Sequence, residues 1–233
     1  NILETPARNV EPRHRAMRVV FEPTWKRLSE SERTVFAKLS VFRGGFTRDA
    51  AEQVAGASLN VLSALVDKSL LRVDANGRYD MHELLRQYAE EKLREDESLY
   101  QKTCTLHSRH YMEWLARLEP DLKCAHQLEA LKAIDKELDN IRAAWNWAVK
   151  IEAWSEIKAS CWSVVEYGYS YGRANETKDF FDNTISLLQS YVLTDEILIL
   201  LGLLLSFRAY LESDLALDVL LINSYTKRAV AHV

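Results

Sequence analysis

Leu70-Leu-Arg-Val-Asp-Ala-Asn-Gly-Arg-Tyr-Asp-Met-His-Glu-Leu-Leu-Arg-Gln-Tyr-Ala-Glu-Glu-Lys-Leu93 decides the fold. Two short extended runs, Leu70–Asp74 and Arg78–Met81, flank Ala75-Asn-Gly77. Asn-Gly between extended runs is a strong hairpin signal, because both residues tolerate positive φ. The second run then hands over to a helix, in which Leu84, Leu85, Tyr88, Ala89 and Leu93 recur at three-to-four spacing as one apolar stripe. Glu83, Arg86, Gln87, Glu90 and Glu91 take its other faces. His82 stands at the junction. A helix start has unpaired N–H groups and a positive dipole end, so an imidazole there can cap, pack or meet a phosphate.

Working back toward the N-terminus, Ser58 caps a helix with Leu59, Leu62, Leu65 and Val66 apolar. Gly56 separates it from a helix that starts after Thr47 and runs to about Val54. Before that, Ser29-Glu-Ser-Glu32 fits a capping box for a helix Glu30–Phe42, with Val35, Phe36, Leu39 and Val41 or Phe42 inward and Arg43-Gly-Gly45 as its stop. Three helices followed by a hairpin is the order of a winged helix, with Ser58–Lys68 in the place of the recognition helix. Further upstream, His14–Leu28 reads as a helix with a kink or late start at Pro23, and residues 1–12 as a linker.

Beyond Leu93 the pattern is helical throughout. A helix Leu99–Leu118 is expected to end at Glu119-Pro120, and His126–Lys150 reads as one long helix or a bent pair, with Leu128, Leu131, Ile134, Leu138, Ile141, Trp145 and Val149 apolar. Trp154–Tyr171 with Glu176–Tyr191, and Asp195–Leu211 with Asp214–Val230, form two helical pairs that suggest tetratricopeptide-like repeats. The last helix, with Val219, Leu220, Ile222 and Tyr225, lacks a polar terminator, so the repeats are expected to continue past Val233.

The 233 residues are 48% hydrophobic and 27% charged, which suits one large or two small cores. A net charge of −4 gives no global push toward nucleic acid or an anionic membrane. Three cysteines suit reduced thiols in a cytoplasmic setting. The chain starts at Asn1 and reads as a piece of a longer protein. The apolar run Ile197–Phe207 is too short to span a bilayer and reads as a buried helix.

Several motifs resemble one family. Leu39-Ser-Val-Phe-Arg-Gly-Gly-Phe-Thr47, Leu65-Val-Asp-Lys-Ser-Leu70 and Tyr79-Asp-Met-His-Glu-Leu-Leu-Arg-Gln-Tyr-Ala89 resemble the winged-helix domain of bacterial STAND-class (NB-ARC-like) signalling ATPases. Glu137-Leu-Asp-Asn-Ile-Arg-Ala-Ala144 resembles the signature of the helical segment that follows it there. The resemblance implies the switch and sensor-proximal region of a signalling ATPase. An upstream nucleotide-binding domain would hold ADP or ATP with Mg²⁺, the repeats would sense an unknown ligand or protein, and activation would bring oligomerisation. This chain has no Gly-x-x-x-x-Gly-Lys-Ser/Thr loop of its own and is not expected to be an enzyme. Met81-His82-Glu83 resembles the Met-His-Asp motif of related regulators, which implies that His82 senses the ADP phosphate of the upstream domain; here Glu83 replaces the Asp. The expected architecture is mainly α: a winged helix over residues 13–95, a helical arm over 96–150 and truncated repeats over 151–233.

The alternative reading is a DNA-binding winged-helix transcription factor with a helical effector domain. Against it, the exposed candidates of Ser58–Lys68 are Asn60, Ser63, Asp67 and Lys68, and the wing adds only Asp74 and Arg78. Phosphate contacts need cations, so DNA is not the expected partner of this region. Arg13, Arg15, Arg18, Lys26, Arg27 and Arg33 make a basic N-terminal face, read as solvated or turned to the upstream domain. Cys104, His107 and His110 lie at i, i+3 and i+6, which puts the outer two roughly 9 Å apart along a helix axis and spreads them around it, so no metal site is expected. No nucleophile, base and acid stand in a pattern that supports catalysis.

Overall fold

The computed structural model describes residues 12–192 and 194–212. Two compact units divide the chain between His107 and Ser108. The elements are α1 Pro12–Arg27, α2 Glu30–Leu39, α3 Arg48–Ala55, α4 Leu59–Asp67, β1 Arg72–Val73, β2 Tyr79–Asp80, α5 Glu83–Arg94, α6 Glu97–Leu122, α7 Gln127–Lys150, α8 Trp154–Ser170, α9 Ala174–Leu188 and α10 Asp195–Glu212. The expected helix Asp214–Val230, second member of the second pair, and the continuation of the repeats lie outside the described residues, as does most of the linker 1–12.

Local chemistry sets the ends of the first unit's helices. Ser29 and Glu32 complete the capping box of α2: Ser29 Oγ accepts from Glu32 N–H at 3.3 Å, and Glu32 Oε2 accepts from Ser29 N–H at 2.7 Å. Thr47 Oγ1 accepts from Ala50 N–H to cap α3, and Ser58 Oγ accepts from Val61 N–H to cap α4. Gly56 ends α3 at φ +68, a left-handed conformation that favours glycine. Val35, Phe36, Leu39, Phe42, Val54, Leu62, Leu65, Leu85, Tyr88 and Leu93 are buried together as the core of the winged helix.

The hairpin loop is the expected Ala75-Asn-Gly77, but its conformation differs from the one that the Asn-Gly pair suggests. Gly77 N–H donates to Asp74 O at 3.0 Å, and Asp74 N–H donates to Arg78 O at 2.9 Å, so three residues make the loop. Gly77 alone takes positive φ, at +76. Asp74 Oδ1 accepts from Asn76 N–H and Arg78 N–H, which lets Asn76 stay out of the left-handed region. Phe46 adds a third extended segment: it exchanges both backbone hydrogen bonds with Tyr79, at 2.8 and 2.9 Å, and its ring stacks on Tyr79. Gly45, at φ +84, brings the chain so close that a Cβ there would lie 2.8 Å from Tyr79 O. No strand pattern marks a single paired residue, so Phe46 was not legible as one.

One expected stop does not hold: α6 runs through Pro120 to Leu122. Pro120 lacks the N–H that would reach the carbonyl four residues back, and the helix continues only two residues beyond it. Pro23, expected at a kink or late start, lies inside α1, which begins well before it.

In the second unit α7 is a single helix. Its buried face carries Leu131, Ile134, Ile141, Ala144, Trp145 and Ala148, and also the polar Glu137 and Asn140. Leu128, expected in the stripe, is 54% exposed in the first turn. Glu137 is tolerated inside because its carboxylate accepts from Tyr111 Oη at 3.0 Å and Asn140 Nδ2 at 2.8 Å. Trp145 is buried and donates from Nε1 to Thr184 Oγ1 at 2.9 Å. Gly168 lets α8 meet α9: a Cβ there would lie 2.1 Å from Thr177 Oγ1. Ile197, Leu198, Leu200, Leu201, Leu204 and Leu205 bury the apolar run of α10, and among the described residues no helix is long and apolar enough to cross a membrane. The architecture is mainly helical with a winged helix and a small hairpin, as the patterning implies.

Candidate nucleic-acid interface

α3, the Gly56-Ala57-Ser58 turn and α4 form a helix-turn-helix. Gly56 N–H donates to Glu52 O at 2.9 Å and Ala57 N–H to Ala51 O at 3.2 Å, and buried Ala57 fixes the turn on the core. Leu62 and Leu65 anchor α4 inward. Outward it presents Leu59, Asn60, Ser63 and Asp67. β1 and the wing loop follow, with Arg72, Val73, Asp74, Ala75, Asn76 and Gly77 exposed.

The cations are distributed otherwise than the pattern implies. Lys68 pairs with Glu32, and this bond is the first cause that holds the Glu32 carboxyl below its ordinary value. Arg78 donates from Nη2 to Gly44 O and Gly45 O, each at 3.1 Å, and so buttresses the turn before α3. Arg48 and Arg72 are the exposed cations instead, with no ion pair among the described residues. No alternation marks Arg72, since buried Leu70 and Leu71 precede β1 and both Arg72 and Val73 are exposed on it. Asp49, Glu52, Asp67 and Asp74 share the exposed surface of these elements.

His82 lines a pocket of this unit, a cavity of about 350 Å³, together with Phe42, Arg43, Gly45, Met81, Glu83 and Arg86. The imidazole is exposed, and its Nδ1 accepts from Leu84 N–H at 3.2 Å, which makes His82 the N-cap of α5. The pocket's arginines are engaged. Arg86 donates to both Glu83 oxygens at 2.7 Å and to Glu90 Oε2 at 2.6 Å. Arg43 donates to Ser40 O, Phe42 O and Glu90 Oε2. Burial and the neighbouring Arg86 lower the Arg43 pKa, whereas the Glu83 bond raises that of Arg86.

The remaining candidates separate. Cys104 is buried, and burial pushes its thiol up. His107 is buried edge-on to Phe42, with ring centroids 5.2 Å apart, while His110 meets Tyr111. Among the described residues no group of His, Cys, Asp and Glu is arranged to hold a metal.

Comparison with known proteins points to the helix-turn-helix. A family described as "Winged helix-turn-helix domain" matches residues 28–94. Proteins of Mycobacterium bovis and of two strains of Mycobacterium tuberculosis, each named "Putative HTH-type transcriptional regulator", are 32% identical over 160 residues. The match covers 63% of this chain and 18% of each relative, so the chain spans less than a fifth of their length. No solved structure matches. These findings overturn the reading as the switch arm of a signalling ATPase and favour the alternative, a winged-helix transcription regulator. They also bear on the expectation that DNA is not this region's partner, which rested on the scarcity of cations in the recognition helix and wing: a winged helix suggests DNA binding. Neither the repeats nor a nucleotide site gains support from the matches. Residues 28–94 form a winged helix-turn-helix domain.

Proposed function

We propose that this chain is part of a transcriptional regulator and that its winged helix binds duplex DNA. The observation that carries the reading is the helix-turn-helix with its wing over residues 28–94, together with the match of those residues to the winged helix-turn-helix family. The names of the mycobacterial relatives support it. In this reading α4 enters the major groove and the wing lies along the adjacent backbone. Asn60, exposed near the start of α4, suits adenine, because its amide offers a donor and an acceptor side by side. Ser63, one turn on, adds a second polar contact. Arg48 and Arg72 supply phosphate contacts. With so few cations, base contacts carry an unusual share of the binding.

The test is selection of duplex DNA from a random pool on the whole chain, followed by fluorescence anisotropy. A defined sequence is expected to emerge. Asn60→Ala is expected to weaken binding to that sequence by about 1–3 kcal/mol, with little effect on unrelated DNA. Failure to enrich any sequence would count against DNA binding by this chain.

A further inference from the structure

The second unit carries a surface that DNA recognition does not use. Tyr169, one residue before the end of α8, is 59% exposed, and Tyr210 on α10 is 46% exposed. Their ring centroids are 4.7 Å apart with planes at 38°, so the two rings lean on each other at the surface. An exposed aromatic pair of this size is an unusual feature for water to cover. Glu166 lies one helical turn before Tyr169 on α8. Its Oε1 accepts from Gln127 Nε2, at 2.9 Å, and from Ser170 Oγ, so the carboxylate is held in position. Tyr210 also feels it: burial, the Tyr169 phenol and then Glu166 raise the Tyr210 phenol above its ordinary value. The carbonyl end of α8 adds partial negative charge beside Tyr169. The cations nearest in sequence are Arg208, which pairs with Asp182, and Arg173, whose guanidinium pairs with Glu176 and approaches Asp135. Over residues 108–212 there are 11 Lys and Arg against 16 Asp and Glu, so the unit attracts cations at longer range.

We propose that Tyr169, Tyr210 and Glu166 form a seat for an arginine side chain presented by a protein partner. A guanidinium is planar and weakly hydrated, so it stacks on a tyrosine face while its N–H groups reach a carboxylate. Lysine fits less well, because its compact ammonium holds water more strongly. A nucleic acid is excluded by the sign of the charge. The seat goes beyond the DNA-binding reading and does not depend on it.

The whole chain is titrated with the peptide acetyl-Arg-Gly-Arg-Gly-Arg-amide while the tyrosine ring resonances are followed by NMR. Saturable shifts of the Tyr169 and Tyr210 rings are expected, with the same peptide carrying citrulline in place of arginine binding about tenfold or more weakly. Tyr169→Ala is expected to weaken the arginine peptide about fivefold and Glu166→Gln about threefold. Tyr169 is exposed, and the circular dichroism melting curve of each variant checks that it folds. Absence of saturable shifts, equal binding of the citrulline peptide, or unchanged affinity in Tyr169→Ala would each overturn the proposal; the last would leave only a general attraction to an acidic surface.

Discussion

His82 shows how one side chain can be spoken for by its own backbone. Its Nδ1 accepts the Leu84 N–H, one of the donors that every helix leaves unpaired at its start. Because the ring is exposed, this bond and not burial is its structural contribution. His82→Ala is therefore expected to destabilise the winged helix by about 0.5–2 kcal/mol, the range for losing an N-cap, and His82→Asn to restore most of it. Urea denaturation of the three proteins measures this. An alanine variant as stable as the parent would mean that the cap bond contributes nothing. Tyr88 is the corresponding case inside: its ring is buried against Phe21 and Trp25, and its hydroxyl still finds Glu22 Oε2 at 2.8 Å.

At the scale of elements, α5 is tied to the turn after α2 by charge as well as by packing. Glu90 accepts from Arg86 and Arg94 on its own helix and from Arg43 across the gap. The Arg86 guanidinium, bonded to both oxygens of Glu83, holds that carboxyl at about 2, against 4.5 for the free group. Glu90 is shifted in the same direction. A carboxyl depressed by folding stabilises the native state above its unfolded-state pKa and loses that contribution as pH falls through the folded value. The loss from Glu83 should therefore fall between 4.5 and about 2. Glu83→Gln is expected to flatten the decline of stability across this window. Denaturant midpoints taken from neutral pH down through the window would decide it, and a decline as steep as in the parent chain would rule out the Arg86–Glu83 contact as a source of acid sensitivity.

Over the whole molecule, charge sets how DNA binding should respond to salt. The chain carries −4 overall, and Arg48 and Arg72 are the exposed, unpaired cations of the helix-turn-helix and wing. Each neutralised phosphate contributes about −0.9 to the slope of log K against log salt, so two contacts give a slope near about −2. Arg72→Ala is expected to weaken binding to all sequences alike and to reduce the slope by about one. A steep slope of the kind made by many phosphate contacts would show that cations beyond these two elements reach the backbone.

What could be read without coordinates was whatever local chemistry dictates. The capping box at Ser29 and Glu32, the caps at Thr47 and Ser58 and the glycine stop at Gly56 all depend on neighbours within a turn, and each is where its pattern puts it; of the stripe, Leu85, Tyr88, Ala89 and Leu93 are buried and Leu84 is half-buried. Those signals in order were enough for a winged helix and a helical remainder. Contacts between distant residues could not be read in this way. Phe46 pairs with Tyr79 across 33 positions, and the approach requires Gly45. Lys68 and Arg78, the cations that looked free for DNA, are taken up by Glu32 and by the Gly44 and Gly45 carbonyls, which leaves Arg48 and Arg72 exposed. Glu137 can be buried because Tyr111 comes from another helix to meet it. A side chain's type and spacing say which bonds it is able to make; which partner is within 3 Å depends on how far the folded backbone brings remote segments together.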